Sequence, residues 1–168
     1  MTPRRAPFAF VVLATLALTA CGFHLRREAQ LPASMQRVHL EIADASSALA
    51  KGLAKALPRS GATLVDDAGG AAVLRIGANT LATDVLSVGG NARATEYALR
   101  YHVEFELRDA DGASVIAPQT IELTRDFTFD ASQSLGVAAQ IDLLSTELQQ
   151  DMVQAVLRRI EAHAHAAP

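Results

Sequence analysis

Glu96-Tyr97-Ala98-Leu99-Arg100-Tyr101-His102-Val103-Glu104-Phe105-Glu106-Leu107-Arg108 decides how the rest of the chain must be arranged. Tyr97, Leu99, Tyr101, Val103, Phe105 and Leu107 share one parity, while Glu96, Arg100, His102, Glu104, Glu106 and Arg108 take the other. Successive side chains of a strand point to opposite faces, so the stretch predicts a long strand with one face in the core and one in water. Its register is strongly specified, because a slip of one residue would expose the whole apolar set.

The segment downstream repeats the pattern. Asp109-Ala110-Asp111-Gly112 is a turn signature, and beyond it Ile121, Leu123, Phe127 and Phe129 alternate with Glu122, Thr124, Asp126 and Thr128 as an antiparallel partner. Pro118 has no amide donor, which places the early part of this strand at a sheet edge or a bulge. Arg125 interrupts the apolar parity between Leu123 and Phe127, where an unpaired guanidinium would be costly to bury. Two readings stay open. One is a bulge or a stem snorkelling at the rim; the other is a pairing of the planar guanidinium with a carboxylate or a ligand anion.

Upstream, Val38, Leu40 and Ile42 alternate with His39 and Glu41 as a half-buried first strand. Asp44, Ser46 or Ser47 can cap a helix whose apolar face is Leu49, Leu53 and Leu57, with Lys51 and Lys55 turned outward and Pro58 and Gly61 at its end. After a short segment at residues 63–65 and the turn-rich Asp66-Asp67-Ala68-Gly69-Gly70, Leu74, Ile76 and Ala78 mark a second strand. Its alternation weakens through Thr83 and Asp84, ahead of a reversal at Gly89-Gly90-Asn91. A second helix is expected over residues 138–161, with Ile141, Leu144, Leu148, Met152, Ala155 or Val156, and Ile160 along one stripe. Asp142, Glu147 and Asp151 precede Arg158 and Arg159 in it, an order that suits the helix dipole. A helix so apolar needs a partner surface, and the one-sided sheet supplies it. The expected architecture is therefore an α+β two-layer sandwich, two helices packed on one face of a four-stranded mixed sheet in the order β-α-β-β-β-α.

The N-terminus has a different logic. Arg4 and Arg5 lead into an apolar run at residues 6–18, which closes on Leu18-Thr19-Ala20-Cys21. That is the order of a secretory signal, and the run is too short to span a bilayer, which takes about 20 apolar residues. Leucine, two small residues and the chain's only Cys resemble the lipobox of bacterial lipoproteins, in which the thiol of Cys21 would be acylated and the chain cut just before it. Residues 1–20 then read as signal peptide, 21–36 as a lipidated tether containing Arg26, Arg27 and Pro32, 37–162 as one folded domain and 163–168 as a frayed tail. Gly22 rather than Asp after Cys21 resembles the sorting signal for release to the outer membrane. Removing residues 1–20 takes away two Arg and no acid, so the formal charge moves from −3 to −5. A chain this acidic has no bulk attraction for nucleic acid or an anionic bilayer, and any anionic ligand must be held by a local cluster.

Several short motifs fall in one order along the mature chain: Cys21-Gly22-Phe23-His24-Leu25-Arg26, Leu31-Pro32-Ala33-Ser34-Met35, Thr95-Glu96-Tyr97, Thr124-Arg125-Asp126-Phe127 and Gln150-Asp151-Met152. In this order they resemble the LptE family of lipopolysaccharide-assembly lipoproteins. The resemblance implies a plug and assembly partner for the β-barrel LptD in the outer membrane, facing the periplasm and the barrel lumen, that binds lipopolysaccharide (LPS) and helps deliver it to the outer leaflet. A barrel lumen is polar, so Arg100, Glu104 and Glu122 on the wet sheet face become candidate barrel contacts.

The family's basic lipid A contacts lie in the turn after the second strand and near the start of the last helix. Here the turn carries Arg93, displaced from the family position, and Gly136-Val137-Ala138-Ala139 carries no basic residue. Arg93 and Arg125 are the candidate LPS contacts. No catalytic motif is present: there is no Gly-x-Ser-x-Gly elbow, His-Glu-x-x-His or phosphate-cradling Gly loop. His163 and His165 alone do not make a metal site. No cofactor is indicated beyond the covalent diacylglycerol and N-acyl lipid on Cys21. The rival reading is a lipid-anchored periplasmic adaptor or small binding module of another envelope assembly.

Overall fold

A computed structural model describes residues 31, 35–90, 94–128 and 134–166. Its elements are β1 (Arg37–Ile42), α1 (Ala48–Arg59), β2 (Thr63–Leu64), β3 (Ala72–Val88), β4 (Ala94–Arg108), β5 (Ser114–Thr128) and α2 (Ser134–Ala166). They form an α+β fold with one open mixed sheet in the order β2-β1-β3-β4-β5. The sheet has five strands where the periodicity indicated four. The addition is β2, which pairs parallel with β1 at Arg37↔Thr63 and Val38↔Leu64, and two residues are too few to show a period.

Ser47 caps α1: its hydroxyl accepts the Ala50 amide at 3.2 Å and donates to the Asp44 carbonyl at 2.7 Å. Leu49, Leu53 and Leu57 are fully buried beneath the helix. Pro58 sits within the last turn, and Gly61, at φ 92°, takes the left-handed turn that leads the chain into β2. Gly52 sets the spacing between the helices, because a Cβ there would lie 2.5 Å from Val153 Cγ2 of α2.

Along α2, Leu148, Met152, Val156 and Ile160 are 0–1% exposed, each burial stabilising by roughly 1.5–3 kcal/mol. Val156, and not Ala155, takes the stripe position. The helix continues past the stripe to Ala166, through the region expected to fray. At the other end of the domain Met35 is fully buried in the core and Leu31 packs against it, so folded structure begins before β1.

β3, β4 and β5 form a long antiparallel trio. Ile76 pairs with Phe105 and Ala78 with Glu104, so the bulge at Gly77 shifts the register and changes the parity of β3. Ala78, expected with Leu74 and Ile76 on the apolar face, therefore stands on the open face opposite Glu104, while Leu81 and Val85 stand opposite Tyr101 and Tyr97 on the helix side. A second irregularity, between Phe105/Gln119 and Leu107/Ile116, falls at Pro118 on the edge strand β5. Gly112, at φ 82°, closes the β4–β5 turn, where Asp109 Oδ1 accepts the amides of Asp111 and Ala113.

Candidate functional site

The open face of the long trio is laced by ion pairs that cross the strands. Arg100 on β4 donates through Nε to Asp84 Oδ2 on β3 and through a terminal nitrogen to Glu122 Oε1 on β5, both at 2.9 Å. The hydrogen bond to Asp84 and the nearby Glu122 carboxylate raise the Arg100 pKa above its ordinary value. Closer to β1, Glu106 lies between Arg75 at 3.4 Å and Arg108 at 3.1 Å, and Arg75 also reaches Glu41 at 3.2 Å. His102 Nε2 stands 3.3 Å from Glu104 Oε1. The candidate barrel contacts Arg100 and Glu122 are thus bonded to each other, with Glu104 beside His102. Apart from those of Glu106, whose side chain is mostly covered, these pairs are largely exposed and contribute about 0–1 kcal/mol each, so they tile the face with alternating charge more than they hold the fold.

Arg125 lies opposite Leu99 on the helix side of β5, in regular register. Its guanidinium donates to Asp151 Oδ2 of α2 at 2.6 Å and to the Thr124 carbonyl at 3.1 Å. The carboxylate pairing therefore holds, the bulge does not, and the guanidinium reaches its partner at the exposed rim of the sheet. Both partners are about half exposed, so no charge is buried. Arg93 and Cys21, together with Phe129, lie outside the described residues.

Sequence reasoning passed over the end of the sheet farthest from Met35. β1 pairs with β3 only from Ala72 to Ile76, so residues 78–88 of β3 form a free edge among the described residues. α1 packs over β1 and β2, and α2 over β4 and β5. Leu81, Val85, Leu86 and Val88 are 38–61% exposed along that edge. Apolar residues exposed along this β3 edge make it a candidate interaction surface. The sequence signal for it is the apolar pair Leu81 and Val85 in a strand with no clear alternation.

Among the described residues, no group of three or more His, Cys, Asp or Glu is placed to hold a metal ion, and no helix is long and apolar enough to cross a membrane.

A sequence profile of the LptE lipopolysaccharide-assembly family matches residues 35–160. The LPS-assembly lipoprotein LptE of Yersinia pestis (strain Pestoides F) and that of Yersinia pseudotuberculosis (serotype O:1b) are each 29% identical over 157 residues, covering 92% of this chain and 74% of theirs. An uncharacterized lipoprotein B from Nitrosomonas europaea has a similar solved structure, with a TM-score of 0.73 at 31% identity, covering 86% of this chain and 94% of its own. A minor lipoprotein from Acinetobacter baumannii follows with a TM-score of 0.64 at 26% identity, covering 76% of this chain and 92% of its own. The profile spans the domain from Met35 to Ile160, the same stretch that builds the sheet and both helices, and the chain belongs to the LptE family of lipopolysaccharide-assembly lipoproteins.

Proposed function

We propose that this lipoprotein is held at the outer membrane by lipid on Cys21 and acts there, without catalysis, as the plug and assembly partner of an LptD-like β-barrel, binding LPS and assisting its insertion into the outer leaflet. The observation that carries this reading is the outer stretch of β3, an unpaired edge where the helix-side residues Leu81 and Val85 are left exposed while β4 and β5 beside them are buried. A partner that encloses this end removes that apolar surface from water. The charge-tiled open face suits the polar wall of a barrel lumen. Covalent lipid on Cys21 provides attachment without a membrane-spanning helix, and more than one acyl chain makes it stable.

Photo-crosslinkers at Val85, Arg100, Glu104 and Glu122, and in the turns at Arg93 and Asp111, test the reading in living cells. A plug contact exceeds the roughly 1,000 Å² of a stable interface, so several of these positions should capture the barrel. Capture of a different envelope protein at these positions, or of nothing, would replace the plug by an adaptor. The LPS contact is tested separately: Arg93→Glu should weaken LPS binding with little change in thermal stability. Cys21→Ser should abolish incorporation of labelled fatty acid.

A further inference from the structure

Helix α1 carries Lys51, Lys55 and Arg59 at four-residue spacing and contains no acid. Lys51 and Lys55 are the only lysines in the chain. All three cations are exposed, and among the described residues none forms an ion pair; the charge of Lys51 is the smallest of the influences on Asp44, whose carboxylate is held mainly by Ser46. Arg75, Arg100, Arg108 and Arg125, by contrast, each hold a carboxylate. The three cations form one lip of the α1–α2 groove. The opposite lip offers the neutral amides of Gln150 and Gln154, and Asp151, which Arg125 already occupies. Like charges one helical turn apart cost about 0.2–0.5 kcal/mol per pair. The fold thus keeps a row of unneutralised positive charge in a chain whose mature formal charge is −5.

We infer that this row is a docking strip for carboxylates on the lumen wall of the barrel partner. The inference rests on the plug reading and adds to it a second contact face and its chemistry. Lys51, Lys55 and Arg59 step along the helix by about 6 Å each. Inward-facing residues of a barrel strand recur about every 6.7 Å, so acids at alternate positions of one strand match the row within side-chain reach. The Arg59 end of α1 lies at the tether end of the domain, where the Thr63 amide donates to the Gln36 carbonyl at 2.7 Å.

The two lysines make the test selective. Lipidated full-length protein, copurified with its barrel in mild detergent, is treated with a membrane-impermeant amine-acylating reagent and compared with the same protein made without barrel. Desolvated pairing predicts labelling of Lys51 and Lys55 slower by roughly tenfold in the complex, and a similar loss of recovered barrel for the Lys51→Glu, Lys55→Glu, Arg59→Glu triple variant. Circular dichroism melting of that variant, unchanged from wild type, separates lost docking from lost folding. Equal labelling of both lysines in a complex that does copurify overturns the inference and leaves the plug reading standing. Failure of the wild type to copurify with any barrel overturns both. Equally slow labelling of barrel-free protein in phosphatidylglycerol-rich vesicles assigns the row to anionic lipid and overturns it as well.

Discussion

Ile76 and Val85 lie on the same strand and face the same side of the sheet, yet the first is 5% exposed and the second 55%. The chemistry of the two residues is alike, so the difference comes from what lies above them. The half of the sheet near Met35 is roofed by both helices and buries Leu74, Ile76, Phe105 and Leu107. In the far half β3 stays paired with β4, with irregularities around Leu86 and Ser87, Tyr97 and Phe127 stack at 5.4 Å, and Leu81 and Val85 of β3 are exposed. Even there β4 and β5 stay covered, since Leu99, Tyr101 and Phe127 are buried together with Val137 of α2, and only the outer stretch of β3 keeps its apolar side chains available to a partner.

The sharpest way to break this contrast is to truncate matched residues in each half. Phe105→Ala or Leu148→Ala should cost about 3–5 kcal/mol by urea denaturation, whereas Val85→Ala should stay within about 0.5 kcal/mol. A large loss at Val85 would mean that the far half is part of the core.

Alkaline titration sharpens the roofed side. Burial raises the Tyr101 phenol from 10.0 to about 12, and its hydroxyl donates to Asn79 Oδ1 at 2.7 Å. Because the folded state favours the neutral phenol, this contribution to stability is complete below pH 10 and is lost as pH rises toward 12. The slope of unfolding free energy against pH over that window should vanish in Tyr101→Phe.

A smaller effect is expected at the helix crossing. Gly52→Ala gains helix propensity of about 1 kcal/mol but drives a Cβ into Val153, and overpacking costs typically 1–3 kcal/mol. The net loss should be about 1 kcal/mol, and Val153→Ala in the same chain should recover part of it in a double-mutant cycle. Arg125→Ala should also have a small effect, at most about 1 kcal/mol, because its pair with Asp151 is half exposed.

The same contrast explains what could be read from the sequence. β4 was legible because one face is roofed and the other wet, which imposes strict alternation from Leu99 to Leu107. Beyond Gly77 the bulge reverses the parity of β3 and neither face is packed, so no burial pattern constrains Thr80, Thr83 and Asp84. The strand therefore faded in the sequence while remaining intact in the fold. Arg125 announced itself by standing on the apolar parity, but its partner Asp151 lies 26 residues away on α2 and only the tertiary fold identifies it. Lys51 and Lys55 were legible as outward-facing residues. Their isolation from acids depends on which side chains surround them in three dimensions.

A barrel partner is expected to cover the outer stretch of β3 that the helices leave bare. Hydrogen–deuterium exchange over residues 78–88, measured in the lipoprotein alone and in its copurified barrel complex, tests it most directly. Strong slowing is expected along this segment in the complex, with residues 72–76 already protected in the lipoprotein alone and little changed. Equal exchange of residues 78–88 in the free and bound protein would contradict it.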